Sequence, residues 1–81
     1  MIQHRSRKIR NVFKTMKMWR YMLADTNRQY PLSELIEVVN ICPHVAIRFL
    51  DRAEDLDFVI GFWDGEDRCY AMTEAGKKVL V

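Results

Sequence analysis

The chain has 81 residues, 49% of them hydrophobic with two Trp, four Phe and three Tyr, enough for one core and too apolar for a disordered chain. A domain this small buries only about 60–65% of its unfolded surface, leaving little chain for a large enzyme cleft. Residues 1–30 carry eight Lys or Arg against one acid, net +7, whereas residues 31–81 carry five bases against ten acids, net −5.

That asymmetry fits a basic half facing a polyanion or an acidic partner, or a dipolar molecule whose two ends attract each other in a dimer. No apolar run approaches the roughly 20 residues of a membrane span. The start Met1-Ile2-Gln3-His4-Arg5 lacks the apolar stretch of a secretory signal. Cys42 and Cys69 make no disulfide framework, so reduced thiols in the cytoplasm, without a membrane partner, are expected.

Residues 1–8 read as a basic N-terminal arm and 9–81 as one folded unit. From Lys8 to Ala24, Ile9, Val12, Phe13, Met16, Trp19 and Leu23 recur at helical spacing, and Asp25-Thr26-Asn27 breaks the pattern. Arg10, Lys14, Lys17 and Tyr21 form a stripe along another side. A second helix is expected from Pro31 or Ser33, with Ser33 as N-cap, Glu34 and Glu37 at the positive end of the dipole, and Leu35, Ile36, Val38 and Val39 as its apolar face.

Asn40 tolerates the left-handed backbone of a tight turn, and Pro43 suits the first position of a third helix. On that helix Ala46, Phe49, Leu50, Ala53 and Leu56 share an apolar arc, while His44, Ile47, Arg48, Asp51 and Asp55 point away. After Asp57 the period falls to two. Phe58 to Trp63 reads as a strand, Asp64-Gly65 as a hairpin turn, and Arg68 to Met72 as the return, with Tyr70 and Met72 on one face and Cys69 and Ala71 on the other. Thr73 is placed to cap a last turn through Ala75, ended by Gly76, before the tail Val79-Leu80-Val81.

The order helix, helix, tight turn, helix, hairpin resembles the winged helix-turn-helix domains of small bacterial or phage transcription regulators. The likeness rests on Leu32 to Pro43 as second helix and turn, on the spacing of Ala46–Leu50 and Ala53–Leu56, and on Phe58-Val59, Asp64 to Arg68 and Tyr70 to Gly76 as strand, wing and closing segment. It spans about residues 10–78. It implies an α+β domain of three helices and a hairpin wing that binds double-stranded DNA to control transcription, with no cofactor, associated with the nucleoid.

Carried residue by residue, the resemblance assigns base reading in the major groove to His44, Val45, Ile47, Arg48 and Arg52. Arg48 would be the bidentate guanine contact, unless Asp51, Asp55 or Glu54 holds it. The wing would be Asp64, Gly65 and Arg68. Three acids to one base at its tip depart from a phosphate-contacting wing. Phosphate affinity would come instead from Arg5, Arg7, Lys8, Arg10, Lys14 and Lys17. Paired half-sites would call for a homodimer through helix one or the Val79–Val81 tail.

The acidic wing also fits a protein-interaction module without DNA binding, using Phe62, Trp63, Tyr70, Val79 and Leu80 as apolar contacts. Cys42, His44, Cys69 and His4 lack the paired spacing of a zinc site, so no metal is expected. There is no Gly-rich phosphate loop, nucleophile elbow or acid–base pair, so the chain reads as a non-enzyme.

Overall fold

The computed structural model describes residues 2–80, with side chains from Lys8 to Leu80. Helix α1 (Ile2–Leu23) leads to a two-residue strand β1 (Tyr30–Pro31), helices α2 (Leu32–Val39) and α3 (Pro43–Asp55), strands β2 (Val59–Asp64) and β3 (Asp67–Met72), and a 3₁₀ turn at Gly76–Lys78. The strands form one antiparallel sheet in the order β1-β3-β2. The domain is α+β, and its three helices and hairpin are compatible with a winged-helix arrangement.

Each turn has a local cause. Asn40 ends α2 at φ 51, ψ 53, and its N–H returns to the Ile36 carbonyl, the left-handed ending that Asn tolerates. Pro43 then opens α3 from an extended Cys42, as a residue before proline prefers. At the far end of α3, the Asp57 N–H donates to Glu54 O (2.9 Å) and the Phe58 N–H to Ala53 O (2.8 Å), with Asp57 at φ 64. Those two bonds make a Schellman ending that turns the chain into β2. In the β2–β3 loop only Gly65 has a positive φ, 64°, the φ signature of a type II′ hairpin turn.

The core gathers Met18, Trp19 and Met22 from α1, Leu35 and Val39 from α2, Ala46, Leu50 and Ala53 from α3, and Val59, Tyr70 and Met72 from the hairpin. Tyr30 closes it, its hydroxyl donating to Asp25 O at 2.6 Å. Leu50 is wholly buried, and truncating such a leucine to alanine costs about 2–5 kcal/mol.

Several expectations are corrected. Helix α1 runs from Ile2, so the segment read as an arm is continuous with the helix. Its apolar stripe is buried only towards its C-terminal end: Ile9, Val12 and Phe13 stand more than half exposed, whereas Trp19 is buried and Leu23 packs against the core, beside Met18 and Met22 from off the stripe. The core is filled only from the last turns of α1. Ser33 does not cap α2. Pro31 is the N-cap, without a side-chain bond, because Tyr30 and Pro31 pair with Tyr70 and Cys69 and lead the chain straight into the helix. Leu56 lies past the end of α3 and is exposed. Thr73 Oγ1 does accept the Gly76 N–H at 3.0 Å, but the turn continues to Lys78.

Candidate nucleic-acid interface

Helix α3 lies between α1 and the hairpin, and its two flanks differ in charge. On the α1 flank an open groove of about 630 Å³ is walled by Asn11, Val12 and Thr15 of α1 and by Val45, Arg48, Phe49 and Arg52 of α3. Arg48 and Arg52 are one turn apart, both exposed, so their guanidinium groups share a face. No ion pair to either is found among the described residues. No carboxylate lines this groove. Val45 is half-buried in the wall, whereas His44 and Ile47 are exposed further along the outward face with Asp51 and Asp55.

On the other flank, Glu54 faces the hairpin. Its Oε1 accepts from Arg68 Nη2 at 3.2 Å, and its Oε2 accepts the Gly61 N–H at 3.2 Å. The Arg68 guanidinium also lies near the Trp63 and Tyr70 rings, 5.5 and 5.4 Å from their centroids. Arg68, expected to serve the wing as its base, therefore turns inward. Glu54, weighed as a partner for Arg48, is occupied by it. The tip presents Asp64, Glu66 and Asp67, all exposed around Gly65.

The bases of α1 divide likewise. Lys8, Arg10 and Lys17 are exposed with no ion pair among the described residues. Lys14 is committed elsewhere: its Nζ donates to the Asn40 carbonyl at 2.7 Å. The side chains of Arg5 and Arg7 lie outside the described residues.

Of the residues assigned to a protein-binding surface, Tyr70 is corrected outright, being 1% exposed. It faces α2 and α3 because β3 turns Tyr70 and Met72 inward. Val79 is half-buried, and its carbonyl accepts from Trp19 Nε1 at 2.9 Å. Phe62 is half-buried, while Trp63 and Leu80 are 67% and 84% exposed.

A separate polar cluster joins α1 to α2. Tyr21 Oη donates to Glu34 Oε2 at 2.5 Å, and Arg28 clasps both oxygens of that carboxylate at 2.6 and 2.8 Å. Arg28, then Tyr21, holds the Glu34 carboxyl below its ordinary value, and the bond to Glu34 raises the Tyr21 hydroxyl. Burial pushes the Tyr70 hydroxyl and the Cys69 thiol up. Sequence reasoning missed Asn11 and Thr15 as groove residues, and neither carries a periodic signal. Known proteins add no guide, since no family model, curated protein or solved structure matches this chain.

Proposed function

We propose that this protein binds double-stranded DNA selectively and acts in transcriptional control, as a winged-helix regulator working on the nucleoid and not as an enzyme. The observation that carries this reading is the pair Arg48 and Arg52, both exposed on the α1 flank of α3 and without an ion pair among the described residues. Two forked guanidinium groups one turn apart on a helix suit guanine edges in a major groove and the phosphates beside them. Asn11 and Thr15 across the groove add neutral donors of the kind that contact phosphates.

The charge layout sets the docking. With Arg68 engaged by Glu54 and three acids at the tip, the duplex approaches from the α1 side, with Lys8, on the groove face of that helix, on its backbone and the hairpin held clear. A homodimer would let two copies of α3 read paired half-sites. The test is fluorescence anisotropy of a mixed-sequence duplex titrated with protein across a salt series. Phosphate neutralisation makes log K fall linearly with log salt, by about 0.9 per phosphate. No binding at low salt removes the proposal.

A further inference from the structure

The groove between α1 and α3 and the tip of the hairpin are complementary in the same molecule. The groove has an apolar floor of Val12, Val45 and Phe49, with Arg48 and Arg52 as its only charged lining residues. Val12 also belongs to a neighbouring hollow with Lys8, Ile9 and Phe13, so the apolar, base-rimmed surface continues along α1. The tip supplies the opposite pattern, an exposed indole at Trp63 with Asp64, Glu66 and Asp67 around it.

From this match we propose that a second copy of the chain docks here, the acidic hairpin tip of one protomer seating Trp63 in the α1–α3 groove of another. The indole would cover the apolar floor, and the carboxylates would meet Arg48, Arg52 and Lys8. Aromatic anchors in a pocket ringed by opposite charge are the pattern of residues that dominate an interface. A chain's own tip does not fill its own groove, since Arg68 and Glu54 hold the hairpin on the opposite flank of α3. Because Arg48 and Arg52 are also the residues proposed to read DNA, a docked copy and a duplex exclude each other. The association itself does not depend on the DNA reading, and it is tested without DNA.

The experiment is sedimentation velocity of the full chain from micromolar to millimolar concentration, in low and in high salt. The weight-average mass is expected to rise above the 9.7 kDa monomer at low salt and return towards it at high salt. The tryptophan emission should move to the blue as mass increases, a shift absent from Trp63→Phe. Trp63→Ala and the double variant Arg48→Glu with Arg52→Glu should each weaken self-association at least tenfold with unchanged melting transitions. Mixing that arginine variant with Asp64→Lys/Glu66→Lys should restore a complex, because the unaltered tip of the first fits the unaltered groove of the second and the reversed tip fits the reversed groove. A monomer at every concentration in low salt overturns the proposal. So does association that survives Trp63→Ala or charge reversal, which would place the contact on the Ile9–Phe13 stripe instead.

Discussion

Lys14 ties the first helix to the turn between the second and third, its ammonium donating to the carbonyl oxygen of Asn40 at 2.7 Å. Asn40 is where α2 ends in the left-handed conformation, and the carbonyls at a helix C-terminus lack intrahelical partners and carry the negative end of the dipole. A cation there is both a hydrogen-bond donor and a charge complement. The angle between the turn and α1 thus depends on a residue that by charge alone resembles a phosphate ligand.

Lys14 and Lys17 should therefore behave differently. Lys14→Met removes a charge-assisted bond and should lower stability by about 1 kcal/mol, roughly 4–8 °C in the melting midpoint for a domain of this size. Lys17→Met, at an exposed lysine with no such bond among the described residues, should leave the melting midpoint unchanged. Equal melting midpoints for the two variants would remove the structural role given to Lys14.

Two glycines should respond to alanine for different reasons. A Cβ at Gly76 would stand 1.9 Å from the Phe58 carbonyl oxygen, a backbone atom that cannot step aside, so Gly76→Ala should cost about 1–3 kcal/mol or more. At Gly61 the nearest atom is the tip of Arg68, 2.4 Å away, and a flexible guanidinium can swing out. Gly61→Ala should keep the fold, yet detach Arg68 from Glu54, seen as no further loss of stability when Arg68→Ala is added.

Asp57 holds a positive φ at the Schellman ending of α3, a conformation that strains most L-residues. Asp57→Gly should stabilise the protein by about 1 kcal/mol in urea unfolding, since the Thr73 hydroxyl bonds the backbone carbonyl of residue 57 and that bond survives the exchange. A destabilised Asp57→Gly would mean that the aspartate side chain itself is needed.

The Glu34 cluster predicts an acid limb. Its carboxyl sits below the ordinary value through Arg28 and Tyr21, so folding favours the ionised form. That stabilisation is complete above the unfolded carboxyl value of about 4.3 and is lost as pH falls through the lower folded value. The melting difference between wild type and Glu34→Gln should stay constant from pH 7 to about 5 and shrink below about pH 4. A difference that persists to pH 2 would contradict the assignment.

The two kinds of arginine near α3 should separate in DNA binding. Arg48→Ala should reduce discrimination between the preferred site and random sequence by about 1–3 kcal/mol. Arg68→Ala should leave that discrimination unchanged while lowering the melting midpoint, because its guanidinium serves Glu54. Identical DNA effects from both would refute the division of the α3 surface.

Much of the fold was legible because it is written in local chemistry. Asn40 at the tight turn, Pro43 at the start of α3 and Gly65 at the hairpin each act through their own backbone preferences, although the turn sits one residue later than Asp64-Gly65, at Gly65-Glu66, with Asp64 pairing Asp67. Strand β1 was not legible, since two residues carry no period and pairing with Tyr70 and Cys69 alone makes Tyr30 and Pro31 a strand. Periodicity located the stripe from Ile9 to Leu23 on α1, but burial depends on what lies underneath: the body covers Trp19 together with Met18 and Met22 and leaves Ile9, Val12 and Phe13 exposed. At the candidate site, Arg48 and Arg52 could be picked from their place on a helix. The commitments of Lys14 and Arg68 could not, because their partners lie 26 and 14 residues away, and charge in a sequence does not reveal which cations fold inward.

The bond from the Gly61 amide to Glu54 has a consequence for how the protein survives at high concentration. Strand β2 lies at the edge of the sheet, and its first five residues, before Asp64, read Val-Ile-Gly-Phe-Trp, the kind of apolar run that can recruit copies of itself into fibrils. A carboxylate lying across the middle of that ribbon occupies one outward amide and puts a negative charge where an incoming strand would align. A negative charge at a strand edge is one of the devices that disfavour edge-to-edge pairing.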